Sequence, residues 1–275
     1  MNHKAVILVP TDFTPVGDSA VRYAVELSKI LKSEMHLLHI VAKDKEIVQA
    51  KAVLDNIVNS LAKENIVAHS LVEVGSIFDD IGKVAERLNA KLIVMGTHGV
   101  KGMQHIMGSK ALKVITNSDV PFVVVQKTPM REHGFKHIVL PIDFNQEVKQ
   151  GMIYASEMAK YFNSKIHIVY PLEKDEFILA KITRNIPHAE EYLQEQGIDY
   201  EITGIEKNDF AKDLITFSQQ NHADLITLIN NHENIFTYFG GSFEQTVIGN
   251  NAEVPVMVIN HIALKTAYGF SIYFG

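Results

Sequence analysis

Short apolar runs alternate along this chain with longer stretches of helical period. In the first half, residues 5–9, 35–40, 67–74, 92–95 and 122–126 are rich in β-branched and aliphatic side chains and read as strands. These runs are continuous rather than alternating, which is the pattern of strands covered on both faces. Between them Ala20, Ala24, Leu27 and Leu31 recur at helix spacing, with Thr14 placed as an N-cap and Pro15 at the first helical position. Ile77, Ile81, Val84, Ala85 and Leu88 make a second apolar stripe, entered by Ser76 with Asp79 as its capping pair. Residues 47–64 read as another helix, and residues 109–116 as a shorter one that ends before Pro121. Strands and helices in this alternation predict an α/β fold: a parallel sheet flanked by crossover helices.

The pattern occurs twice. AVILVPTDF at residues 5–13 returns as KHIVLPIDF at residues 136–144, an offset that also carries Pro10 to Pro141, Asp12 to Asp143, Ala24 to Ala155 and His36 to His167. Further on, AKLIVM at residues 90–95 meets ADLITL at 223–228, Gly108-Ser109 meets Gly241-Ser242, and Pro121 meets Pro255. Two tandem domains are therefore expected, at residues 1–130 and 135–260, joined through the polar stretch 127–134. A length of 275 residues suits two such domains. The tail, 261–275, alternates Tyr268, Phe270 and Ile272 with smaller residues and predicts a short edge strand or an interface clasp.

Composition narrows the chemistry. The chain has no cysteine, which excludes disulfides, a thiol nucleophile and any Cys-ligated metal centre, and suits a reducing compartment. A net charge of -6 offers no general attraction for nucleic acid or an anionic membrane. No apolar run reaches the roughly 18 residues a spanning helix needs, and no export signal is read at the N-terminus, so the expectation is a cytoplasmic protein with neither nucleic acid nor membrane as partner.

In an open parallel sheet, ligands bind beyond the carboxyl ends of the strands, where the strand order reverses. That rule selects the loop Pro10-Thr11-Asp12-Phe13 after the first strand and the loop GTHGVKGMQHIMGS, residues 96–109, after the fourth. Gly96, Gly99, Gly102 and Gly108 let backbone N–H groups approach an anion, and Gly108-Ser109 opens a helix whose first N–H groups are unpaired. Lys101 and Lys110 would add positive charge. Glycines at this density also serve loops that merely turn tightly. Neither a Walker A sequence nor the dinucleotide fingerprint is present.

The second copy keeps Asp143 and Gly241-Ser242 but has Ile229, His232 and Ile235 at the positions of Gly96, Gly99 and Gly102, which predicts a weak or vestigial site. Asp12 reads equally well as a cap on its own turn. His98 and His105 read as loop histidines rather than a zinc site, and His36 and His167 as packing residues; no metal ligand and no catalytic group is assigned.

The sequences P-T-D-F, L-L-H-I, G-T-H-G followed by G-S, and V-P-F-V-V-V resemble the universal stress protein family, and both copies share the likeness, so the chain resembles a tandem, UspA-like protein. The resemblance implies two Rossmann-like five-stranded sheets of order 3-2-1-4-5. For the ATP-binding branch of the family it implies the pattern G-x2-G-x9-G-[ST]; here Gly96, Gly99 and Gly108-Ser109 follow it with a spacer, residues 100–107, that is one residue shorter. Carried onto matching positions, Pro10, Thr11 and Asp12 would face the adenosine end, Ile40 would add backbone contacts, and Met95 and Gly96 would line the pocket. His98, Gly99, Gly108, Ser109 and Lys110 would surround ribose and phosphates. ATP would be the ligand, with Mg2+ held through its phosphates. Family domains pair, which implies an intrachain pseudo-dimer and a possible homodimer. The function so implied is a stress-response module that responds to bound nucleotide; a slow ATPase and a ligand-free dimerisation module are the alternatives.

Overall fold

The computed structural model of the chain describes residues 4–97, 113–142, 148–206, 209–230 and 243–260. The chain divides into two compact units that part between Met130 and Arg131.

In the first unit, β1 (Val6–Pro10), β2 (Glu34–Val41), β3 (Ala68–Val74), β4 (Ala90–Gly96) and β5 (Phe122–Val125) form a parallel sheet in the order β3-β2-β1-β4-β5. The α/β expectation and the implied strand order are both met. β1 is the hinge of the topology, pairing with β2 on one side and β4 on the other. Ile7, Leu8 and Val9 at its centre have no solvent exposure, as the unbroken apolar run predicts.

Helix α1 (Pro15–Leu31) starts where its cap predicts: the Thr14 side chain accepts a hydrogen bond from the Gly17 amide, and Pro15 opens the helix. Ala20, Ala24, Leu27 and Leu31 are all buried on the sheet side, and burying each leucine contributes about 1.5–3 kcal/mol. Helix α2 (Ile47–Lys63) runs between β2 and β3, and α3 (Ile77–Arg87) between β3 and β4. Ser76 caps α3 by accepting from the Phe78 amide, but the reciprocal partner differs from expectation. The Ser76 amide donates to Asp80 at 2.8 Å, not to Asp79, because the carboxylate one residue further on reaches back over Gly75. Residues 113–115 are helical; the predicted start of that helix, at 109, lies outside the described residues.

The second unit repeats the plan with β6 (His137–Pro141), β7 (Lys165–Pro171), β8 (Tyr200–Ile205), β9 (Leu225–Asn230) and β10 (Val256–Asn260), in the order β8-β7-β6-β9-β10. The segments between them form α4 (Val148–Phe162), α5 (Glu176–Thr183), α6 (Ile186–Glu195), α7 (Phe210–Gln220) and α8 (Phe243–Ile248). One long helix between β2 and β3 is replaced here by two short ones, with Pro187 in the first turn of α6, where its missing N–H costs nothing. Asp224 anchors the entry to β9: buried, it accepts from the Arg131 guanidinium at 2.8 Å and from the amides of Lys136 and His137 at 2.8 and 3.0 Å. The tail lies outside the described residues, and among the described residues no helix is long and apolar enough to cross a membrane.

Candidate functional site

The reversal of strand order at β1 and β4 places the loop after β1 next to the end of β4. Thr11 is buried there, its amide bonded to the Leu38 carbonyl at 2.8 Å, so the loop continues the line of β1 for one residue beyond the strand. Asp12 is exposed. Its Oδ1 accepts from the Thr14 amide at 3.0 Å and from the Thr14 hydroxyl at 2.5 Å. Phe13 then adopts a positive φ of 62°, an uncommon conformation for a residue with a side chain, which turns the chain sharply into α1. The reading of Asp12 as a cap on its own turn thus describes one of its two oxygens.

Pressed against this loop is the first turn of α1. A Cβ on Gly17 would stand 2.8 Å from the Thr11 hydroxyl oxygen and 2.9 Å from Asp12 Oδ1, so the helix start and the loop hold each other in place. Gly96, the last residue of β4, faces the same turn: a Cβ there would lie 2.4 Å from the Val16 carbonyl oxygen. The close approach of β4 to α1 by itself requires a glycine at 96. Met95 is buried behind it, and Thr97 is buried with its amide bonded to the Val125 carbonyl at 2.8 Å.

Pro10 and Ile40, both half-buried, sit at the carboxyl ends of β1 and β2, so the structure brings together Pro10, Thr11, Asp12, Met95 and Gly96 at the carboxyl ends of β1 and β4 with Ile40 one strand away. His98, Gly99, Gly108, Ser109 and Lys110 lie outside the described residues. One neighbour was not assigned from the sequence. His39 Nδ1 lies 2.7 Å from the Thr11 carbonyl oxygen, and its ring stacks on Phe13 with centroids 4.2 Å apart, which braces the β1 loop from the β2 side. The L-L-H-I motif contains this histidine, but only the register of β1 against β2 shows what it touches.

The corresponding place in the second unit is built differently. Ile142 stands where Thr11 does, and Ile229 where Gly96 does. The Ile229 side chain lies against Gly151 of α4, where an added Cβ would meet Ile229 Cδ1 at 2.6 Å. The glycine has moved from the strand to the helix. Beyond it, Asn230 Nδ2 donates to Asn260 Oδ1 at 2.7 Å, tying the ends of β9 and β10 by side chains.

Residues 5–126 match the universal stress protein family. The first unit carries a universal stress protein domain. Among curated relatives, a universal stress protein of Methanocaldococcus jannaschii is 28% identical over 143 residues, 46% of this chain and 84% of the relative. Universal stress protein G of Shigella flexneri is 28% identical over 143 residues, 45% of this chain and 99% of that protein. A crystal structure of a universal stress protein from Archaeoglobus fulgidus superposes with a TM-score of 0.76 over 93% of this chain and 98% of that one, at 21% identity, and shows that the two chains share a fold.

Proposed function

We propose that the first unit is an adenine-nucleotide-binding module that acts in the cytoplasm in the response to stress, with ATP lying across the carboxyl ends of β1 and β4. In this reading Pro10, Thr11, Asp12 and Ile40 take the adenosine end, and Met95 and Gly96 line the floor. His98, Gly99, Gly108, Ser109 and Lys110 take the ribose and phosphates. Magnesium would be carried by phosphate oxygens and water. The observation that supports it is the contrast at the strand-order reversal. The first unit has Thr11 and Gly96 there, whereas the second has Ile142 and Ile229 at the equivalent positions. The second unit is accordingly structural, a degenerate universal stress domain with a weak or vestigial site.

A ligand-free reading has its own support, since the Gly96 backbone is explained by Val16, and Asp12 Oδ1 by Thr14, without any nucleotide. The two readings separate in one experiment. The protein is purified without added nucleotide, denatured, and the supernatant chromatographed; the protein as isolated is also titrated with MgATP by calorimetry. Co-purified ATP or a saturable heat supports the nucleotide module. Absence of both establishes the ligand-free one. Release of ADP on incubation with MgATP, abolished by Ser109→Ala, would make the module a slow ATPase.

A further inference from the structure

Away from the crevice, at the amino-terminal end of the same sheet, three side chains converge that no part of the nucleotide reading uses. Glu34 opens β2, and His36 follows two residues later on the same face, because successive strand residues alternate faces. His69 is the direct register partner of His36 on β3, which places the two rings side by side with centroids 4.7 Å apart. His36 Nε2 lies 3.5 Å from Glu34 Oε1, His69 Nε2 lies 3.9 Å from Glu34 Oε2, and the three ligand atoms all fall within 4.8 Å of one another. Four-coordinate zinc with bonds near 2.0–2.1 Å has ligand atoms about 3.3 Å apart, so small side-chain rotations, most freely of the exposed His69, close the set.

We propose that Glu34, His36 and His69 form a three-ligand site for a divalent transition ion of the zinc class, bridging β2 and the edge strand β3. The donor chemistry selects this class: two imidazole nitrogens and one carboxylate suit zinc and its neighbours, whereas calcium and magnesium take oxygen. Glu34 and His36 are half-buried and His69 is exposed, so an ion has a path in and a fourth position open to water. Among the described residues, Glu73 lies further along β3 on the same face and is paired with Arg87 of α3.

The second unit supplies the internal control. Lys165 occupies the Glu34 position, and Glu201, the register partner of His167, occupies the His69 position. Lys165 Nζ lies 2.9 Å from Glu201, so an ammonium group sits where the first unit would hold the metal.

The test is a calorimetric titration of the full chain with Zn2+ alone, in buffer free of nucleotide and phosphate. One equivalent is expected, with an affinity that falls at least about tenfold in His69→Ala and in Glu34→Gln and weakens as the pH falls and protons compete for the imidazoles. His69 is exposed and Gln replaces Glu without change of shape, so both variants report on ligation rather than folding. Gly108→Val should leave the titration unchanged, which separates this site from the nucleotide reading. No binding by the wild type at millimolar zinc would overturn the proposal. So would binding that both variants leave intact, since the ion would then be held by other histidines of the chain.

Discussion

The two units share a strand order and differ in what fills the carboxyl ends of their strands. In the first, β4 ends in a glycine that lets α1 approach to within contact of the strand backbone; in the second, an isoleucine projects instead and the helix yields by carrying Gly151. The same exchange recurs at the other end of the sheets, where Glu34 and His69 in one unit answer to Lys165 and Glu201 in the other. Both units keep a scaffold of apolar strands with a buried helix after the first strand, and these carry the folding energy. Their polar ends differ: β4 of the first unit ends on Gly96, whereas β9 of the second carries Ile229 and ends on Asn230, bonded to Asn260.

Substitutions confined to one unit test this difference. The largest effect is expected from Asp224→Ala, which leaves the amides of Lys136 and His137 without their acceptor. It should cost about 3 kcal/mol, read in denaturant melts as a loss confined to the second unit, while Lys91→Ala at the equivalent place in the first does little. Gly96→Ala drives a Cβ to 2.4 Å from a backbone oxygen and should cost about 2 kcal/mol. Gly151→Ala meets the mobile end of Ile229 instead and should cost less than about 1 kcal/mol. If the two alanines cost the same, the placing of glycine on strand or helix is not what distinguishes the two units. Thr14→Ala removes a cap and should destabilise the first unit by about 1 kcal/mol.

The smallest effect is a shared pH response. Burial holds His36 and His167 below the ordinary value of 6.5, so the folded chain disfavours their charged form and the unfolded chain binds protons first. Their contribution to stability is therefore full above about pH 6.5 and is lost as the pH falls through the window beneath it. His36→Gln should flatten that slope in the first unit and His167→Gln in the second, measured by melts at a series of pH values.

Much of this was legible in the sequence. The apolar runs located all five strands of the first unit to within two residues, most cleanly the inner strands β1, β4 and β5, whose burial on both faces leaves little polar interruption, and Thr14-Pro15 marked the start of α1 to the residue. Asp80 rather than Asp79 closing the α3 cap was not legible, since both carboxylates suit the first turn and only the path of Gly75 chooses between them. The repeat offset showed that Ile229 replaces Gly96, but not that Gly151 makes room for it. His39 and the Glu34-His36-His69 cluster depend on cross-strand register, which places residues far apart in sequence side by side, so His36 alone reads as a packing residue.

On the proposed reading nucleotide binds in the first unit and not in the second. A crystal grown with MgATP decides it: density for one triphosphate is expected beside Thr11 and Gly96, and none beside Ile142 and Ile229. Nucleotide lodged against Ile229, or at both places alike, would contradict the account.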